Sequence, residues 1–485
     1  MLVVLILVLP ALGALVCAAA RWRPWAAWTA VSTNAAMFAL AIVLCVCVVR
    51  HGALGGLFGV LRADALSAFM VVVIGAIAVL ASGLGVRTIA SELETGRCTE
   101  RRATLYAVLV QVFVTTMVLA VLAANLGVLW LGVEATTVAT TFLVGHHRTK
   151  ASLEASWKYI VICSVGIALA FLGTVLVYLA AIHAGGHSAH ALDWTSLMAH
   201  AHRLDPSVMR LAFALVVLGY GTKVGLAPMH SWLPDAHSQA PAPISALMSG
   251  VLLTVAFYAI LRFKAICDLS VGVQFARTLL VIVALLSLGV AASLLLAQRD
   301  YKRMLAYSSI EHMGLIALGA AAGIPLAIAA VLLHILGHGL TKSVLFLTSG
   351  QISAAEGTSK IAGVRALLAR RPALGGVFGV GLLALLGFPP FSLFASELAM
   401  FRAEFEVGLG WAATIAIVAM VVIFIAMVNH ARLMLLGPGD GPRTEATPRF
   451  ALAPLIGALA VCAAIGLFAW PLTSLLEAAA RSVAL

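Results

Sequence analysis

The sequence predicts an all-α, polytopic membrane protein with about fourteen transmembrane helices. Three observations carry that expectation. The 485 residues are 63% hydrophobic and only 10% charged, with a mean hydropathy of +1.09. The apolar residues fall into long runs rather than short alternating ones. The basic residues collect in alternate connections between those runs. Soluble domains are about half apolar and about a quarter charged, so this chain has too little charge to hydrate a soluble surface of its size. Lipid must solvate most of it.

The apolar runs lie near 2–20, 25–49, 65–86, 103–124, 125–145, 158–182, 208–233, 244–266, 275–297, 304–322, 325–349, 373–402, 409–436 and 450–476. Most are long enough to cross roughly 30 Å of hydrocarbon at about 1.5 Å per residue. The first run has no basic segment before it and is followed by Arg21, Trp22 and Arg23. It therefore reads as a retained helix rather than a cleaved signal.

An even number of helices places both termini on one side. One set of connections holds nineteen Lys and Arg residues, including Arg97, Arg101, Arg102, Arg299, Lys302, Arg303, Arg370, Arg371 and Arg443. The other holds nine, among them Arg62, Arg203, Arg262, Lys264 and Arg277. Lys223 and Lys342 fall inside runs. Basic residues favour the cytoplasmic side, so the richer set is expected there, in the inner (cytoplasmic) membrane, with both termini periplasmic or outside.

Other classes are excluded by pattern. The seven cysteines show no Cys-x-x-Cys pair and no Cys/His cluster along the chain, so neither a metal site nor a cofactor is expected in this chain. No glycine fingerprint follows a strand. The net charge of +11 sits at helix ends rather than in one patch, which argues against nucleic acid. His183, His187, His190, His200 and His202 share one outer connection, but their irregular spacing does not favour a metal.

The charges inside the runs are the chemical signal. A Lys or Asp at the bilayer centre costs roughly 2.5–3.5 kcal/mol on insertion scales, and such residues are functional by default. Glu134 lies in the middle of Leu126–Val144. Lys223 lies in Gly219-Tyr-Gly-Thr-Lys-Val-Gly-Leu-Ala-Pro228, where the glycines and the proline predict a helix that unwinds near mid-membrane. A static salt bridge between the two is the competing reading; a bridge that opens and closes would gate. His334, His338 and Lys342 are four apart, which puts them on one face of the eleventh helix with steps of about 6 Å. Two imidazoles and an amine in file can relay a proton. Leu386-Gly-Phe-Pro-Pro390, followed by Ser396-Glu397, predicts a break in the twelfth helix, five helices after the break in the seventh. Paired interruptions suggest repeats of helices 4–8 and 9–13. Glu311 and His312 then fall on the counterpart of the Glu134 helix, with simple hydration near the cytoplasmic end as the competing reading.

At this point the chain resembles a known family. Lys223 to Pro241, KVGLAPMHSWLPDAHSQAP, Asp300-Tyr-Lys-Arg-Met-Leu-Ala-Tyr-Ser-Ser, and His334 to Gly350 resemble the antiporter-like subunits of respiratory complex I, the Mrp antiporters and the membrane hydrogenases. Trp157-Lys-Tyr-Ile-Val-Ile-Cys-Ser-Val-Gly and Ser308-Ser-Ile-Glu-His-Met-Gly look most like hydrogenase-4 component F. The resemblance implies two inverted five-helix repeats, at 103–266 and 267–436, after N-terminal helices at 1–102 and before a C-terminal helix at 437–485. It implies a proton path in which Glu134 and Lys223 are the coupling pair, His334, His338 and Lys342 connect two half-channels, and Glu397 is the terminal group. His230, Asp235, His237, Lys302, Glu311 and His312 are further candidates for proton transfer. Many relatives have a lysine where Thr254 stands, so a water or a neighbouring His must bridge that gap. The chain ends about nine residues after the last run, and is therefore expected to lack the long lateral helix of the largest complex I member.

The function expected from this is proton translocation in a redox-driven complex of the hydrogenase-4 or NADH:quinone oxidoreductase type. The implied partners are other antiporter-like membrane subunits and peripheral iron–sulfur, [NiFe]-hydrogenase or quinone-reductase subunits; any catalytic centre would be theirs. An Mrp-type Na⁺/H⁺ antiporter without redox partners, or the proton-conducting subunit of an inorganic-carbon uptake complex, are the alternatives. Na⁺ would want clustered oxygen ligands, and only isolated carboxylates appear.

Overall fold

The computed structural model describes residues 1–186, 190–438 and 449–484. The N-terminal part consists of α1 (Leu2–Ala20) and α2 (Pro24–His51), a hairpin of β1 (Leu54–Gly56) and β2 (Leu61–Ala63), and then α3 (Ala65–Glu94). The hairpin is antiparallel, with Leu54 opposite Ala63. The chain continues through α4 (Glu100–Leu122), α5 (Leu126–Val144), α6 (Lys150–His183), a short α7 (Trp194–Ala199) and α8 (Pro206–Val224). Next come α9 (Trp232–Gln239), α10 (Ala242–Leu247) and α11 (Leu253–Val271), the last two joined through a π-helical turn at Met248–Leu252. The remainder is α12 (Val273–Leu295), α13 (Tyr301–Ala322), α14 (Pro325–Glu356), α15 (Leu367–Arg370), α16 (Pro372–Leu385), α17 (Ser392–Glu406), α18 (Gly410–Leu436), α19 (Arg449–Leu467) and α20 (Trp470–Arg481).

Helix starts follow local chemistry. Side chains of Asp64, Thr99, Asn125, Thr149, Asp205 and Asp300 accept from the first free backbone N–H groups of α3, α4, α5, α6, α8 and α13. Each such cap contributes about 1 kcal/mol.

Every one of the fourteen apolar runs contains helix. Among the described residues, eleven helices are long and apolar enough to cross a membrane, or twelve if Leu452–Leu467 and Leu472–Arg481, bent by 74°, form one span. The runs left out of the eleven have physical reasons. The tenth, α13, carries Lys302, Arg303, Ser308, Ser309, Glu311 and His312. The twelfth is divided into α16 and α17, and the fourteenth is the bent pair.

Burial sorts the spans by depth. The apolar windows of α10–α11 and of α14 are wholly buried, whereas about a third of those of α1, α2 and α18 is. Outward faces are apolar: Trp157, Val161 and Val165 on α6, and Trp411, Ile415 and Val418 on α18, are more than half or about half exposed. These residues want lipid, and α11 and α14 are the pillars that lipid does not reach.

One feature corrects the sequence reading. Arg262 and Lys264 were expected in an outer connection, but the eighth run continues as helix to Val271 and buries both. Arg262 donates to Asp64 Oδ1 at 2.6 Å and Lys264 pairs with Asp268. They are packing contacts, not topology charges. His187 and Arg443 lie outside the described residues.

Close approach of α6 and α8 depends on small residues. A Cβ on Gly173 would lie 2.8 Å from the Ala212 carbonyl oxygen, and one on Gly219 would fall well inside contact distance of the Ala170 backbone nitrogen. Small residues let helix backbones touch in lipid. Gly219→Val should therefore destabilise the detergent-solubilised protein by about 1–3 kcal/mol, the usual cost of overpacking. Gly289→Val, where nothing lies within 4 Å, should have far less effect. Thermal unfolding of both variants checks this.

Candidate functional site

The seventh run breaks where its glycines and Pro228 predict. α8 ends at Val224, and Gly225 closes it in the left-handed region at φ 83°. The chain is irregular to Ser231 and restarts as α9. Trp232 is buried at the start of α9 and donates from Nε1 to the Thr222 carbonyl at 2.8 Å. That bond pins the broken end. Lys223, in the last turn of α8, is thus held at the break and is fully buried.

Lys223 does not touch Glu134. Its Nζ donates to Thr137 Oγ1 at 2.8 Å and to Tyr159 Oη at 2.5 Å, and lies 4.7 Å from the centre of the tyrosine ring. Thr137 in turn donates to Glu134 Oε2 at 3.3 Å. The half-buried carboxylate is one hydroxyl away from the ammonium. The static salt bridge considered from sequence is therefore not formed; a threonine spaces the pair. Tyr159 Oη also meets Thr140 Oγ1 at 2.5 Å.

The second cluster is assembled by α13, α14 and α17. Lys342 is fully buried and donates to the Leu305 carbonyl at 2.6 Å and to Ser308 Oγ at 2.5 Å. His334, His338 and Lys342 share the inner face of α14, as their spacing predicts. The imidazoles are not linked along that helix alone. His312 of α13 lies between them, with ring centres 5.1 Å from both His334 and His338. His312 Nδ1 meets His334 Nε2 at 3.0 Å, and His334 Nδ1 meets Ser396 Oγ at 3.0 Å. Both nitrogens of His338 and Nε2 of His312 are buried without a protein partner.

Glu397 follows the second break. Gly387, at φ 67°, sits so close beneath the carboxylate that any Cβ there would collide with it. Only glycine supplies both the left-handed conformation and the room. Glu311 and His312 are 6% and 2% exposed, so the hydrated position considered for them does not apply.

The remaining candidates divide. His237 is fully buried on α9, its ring stacked 5.4 Å from Phe346, with both nitrogens free of protein partners. It lies within electrostatic range of Lys342 and His338. Thr254 is buried too, but its hydroxyl turns back to the Val251 carbonyl at 2.9 Å. The His237 ring lies 6.2 Å from that of Trp232, which in turn lies 4.9 Å from the ring of Tyr159. Asp235 leaves the file: it pairs with Arg303 at 2.7 Å and Lys158 at 3.2 Å on a partly exposed edge. His230, in the break, and Lys302, in the first turn of α13, are half-buried.

Sequence reasoning missed several members. Thr137, Tyr159, Ser308 and Ser396 are hydroxyls whose role shows only in contacts between helices. Glu404 is 1% exposed with Oε2 unpartnered; its spacing of seven from Glu397 on one helix could have signalled it. His312, His334 and Glu397 each offer a ligand atom within 4.8 Å of the others, and one nitrogen of each imidazole is engaged with the other. Between α6 and α7, His190 bonds Asp193 at 2.7 Å.

Comparison with known proteins identifies a family and a shared fold. The family model described as "NADH:quinone oxidoreductase/Mrp antiporter, TM" matches residues 123–423, which contain every group of both clusters. A hydrogenase-4 component F homolog of Methylacidiphilum infernorum is 44% identical over 319 residues, 66% of this chain and 67% of the relative. NADH-quinone oxidoreductase subunit N of Desulforudis audaxviator is 32% identical over 301 residues, 61% of this chain and 58% of the relative. The matches thus span about two thirds or less of these relatives' length. A chain of an archaeal membrane-bound sulfane sulfur reductase superposes with a TM-score of 0.88 at 24% identity, over 99% of this chain and 97% of that one, which shows the shared fold. The chain belongs to the family of NADH:quinone oxidoreductase and Mrp antiporter membrane subunits.

Proposed function

We propose that this chain is a proton-translocating membrane subunit of a redox-driven complex. One observation carries the reading. Among the described residues four Lys or Arg side chains are buried: Lys223, Arg262, Lys264 and Lys342. Arg262 and Lys264 are in direct salt bridges. The partners of Lys223 and Lys342 are hydroxyl and carbonyl oxygens. A permanent cation held for packing wants a carboxylate; one that must give up its proton does not.

The route runs from Glu134 through Thr137 to Lys223, across His237 to Lys342, then through His338, His312 and His334 to Ser396 and Glu397. The links within hydrogen-bond distance are direct, and water completes the rest, as buried polar atoms require. Six of its eight titratable groups are amines or imidazoles, with only Glu134 and Glu397 as carboxylates, which favours H⁺ over Na⁺. Residues 103–266 and 267–436 act as two five-helix units, each interrupted once, at 225–231 and 386–391. Likeness to hydrogenase-4 and NADH-quinone oxidoreductase subunits supports further antiporter-like subunits, and peripheral iron–sulfur and hydrogenase or quinone-reductase subunits, as partners. Those subunits would supply the drive, about 2.3 kcal/mol per charge per 100 mV. Both termini face the outside of the inner (cytoplasmic) membrane.

Two substitutions separate working from packing cations. Lys223→Met should lower proton translocation by the assembled complex in vesicles on the order of a hundredfold, the low end of what a positioned proton-transfer group contributes. Assembly should be retained. Lys264→Met strands Asp268 and should cost about 3–5 kcal/mol of stability, while translocation per folded molecule persists. Retained translocation in Lys223→Met would sink the reading.

Orientation is checked with introduced thiols. A membrane-impermeant maleimide added to intact spheroplasts should label Ala199→Cys and spare Thr95→Cys, measured against the wild-type background. The opposite pattern would invert the assigned topology.

A further inference from the structure

Away from the proton file, three segments distant in sequence converge on one small cluster. Glu92 is in the last turn of α3, Cys98 is in the connection to α4, and His146 follows α5. His146 Nε2 lies 3.3 Å from Glu92 Oε2 and 3.9 Å from Cys98 Sγ. All three atoms lie within 4.8 Å of one another. From these contacts we propose a metal site for a zinc-class divalent ion, held by Glu92, Cys98 and His146.

The spacing suits the chemistry. Tetrahedral ligands at metal–nitrogen and metal–oxygen distances of about 2.0–2.2 Å and a metal–sulfur distance of about 2.3 Å lie roughly 3.3–3.8 Å apart. Two of the observed separations, 3.3 and 3.9 Å, approach these values, and the third lies within 4.8 Å. Thiolate, imidazole and carboxylate together select a borderline-soft ion such as Zn²⁺ over Mg²⁺ or Ca²⁺, which want oxygen alone. Thiolate and carboxylate also balance the dication's charge.

The surroundings are those of a built site. Cys98 is 5% exposed and His146 is 8% exposed. The Tyr106 ring packs edge-on against the His146 imidazole at 5.3 Å. His147, on the exposed side, bonds the other Glu92 oxygen at 3.1 Å. It thereby orients the carboxylate as an outer partner, or can swing in as a fourth ligand. A cavity of about 560 Å³, lined also by Arg102 and Arg148, lies beside His146. His147 Nδ1 is also 3.4 Å from the Gln239 carbonyl at the end of α9. An ion here would clamp α3, α4 and α5 together next to the broken helix that carries His237. The competing reading is a purely hydrogen-bonded network, with Glu92 accepting from both histidines and Cys98 a bystander.

Cobalt(II) distinguishes the two. Titrated into the reduced full-length protein in detergent, it should bind one per chain with a thiolate-to-cobalt charge-transfer band and tetrahedral ligand-field bands, and Zn²⁺ should displace it. Cys98→Ser should abolish the charge-transfer band, and His147→Ala should weaken binding by about tenfold, as loss of an outer partner does. Glu92→Gln keeps the hydrogen-bonding shape and guards against misfolding of the cysteine variant. Zn²⁺ should raise the thermal midpoint of wild type and not of Glu92→Gln. No thiolate band in wild type, or an unchanged band in Cys98→Ser, would overturn the proposal.

Discussion

A buried ammonium without a carboxylate against it is the interaction on which this molecule turns. Placing a lysine at the bilayer centre costs roughly 2.5–3.5 kcal/mol, and the chain does so at both Lys223 and Lys342. It offsets the cost with hydroxyls and a carbonyl: Thr137 and Tyr159 for the first, Leu305 and Ser308 for the second. The contrast lies within the same protein, because Arg262 and Lys264 are buried equally deeply and are given direct carboxylate partners. Neutral partners stabilise both protonation states tolerably; a carboxylate in contact would lock one of them. Glu134, one threonine away from Lys223, is close enough to influence it and too far to lock it.

The helix breaks position two of these groups, Lys223 and Glu397, while Lys342 sits within the unbroken α14. An uninterrupted helix presents side chains only sideways, whereas the break after Val224 lets Lys223 sit at a helix end facing α5 and α6. Trp232 reaches back to the Thr222 carbonyl and stiffens the gap. At the second break the backbone itself makes room, with Gly387 under the Glu397 carboxylate. Small residues along α6 and α8 bring Tyr159 within reach of the lysine, so helix packing, not loop geometry, sets the distance that matters for proton transfer.

Much of this was legible in the order of residues. Charges inside apolar runs, prolines within them, and the four-residue spacing of His334, His338 and Lys342 marked helices that the structure breaks and side chains that it buries. What stayed hidden were contacts between helices. Periodicity places three groups on α14, yet says nothing of His312 entering between the two imidazoles from α13, nor of Thr137 spacing Glu134 from Lys223. Arg262 and Lys264 looked like loop charges because their partners, Asp64 and Asp268, disguise the cost of burying them. Cys98 and His146 meet although 48 residues separate them, a convergence that no linear motif records.

The central claim is that the two lysines are joined by an exchangeable file rather than isolated in separate dry pockets. It is tested most directly by an experimental structure of the assembled complex at a resolution that orders water. The account predicts waters on the buried, protein-unpartnered nitrogens of His237 and His338, linking them to Lys342 and toward Lys223. Apolar side chains closing directly over those nitrogens, with no ordered water between the clusters, would contradict it.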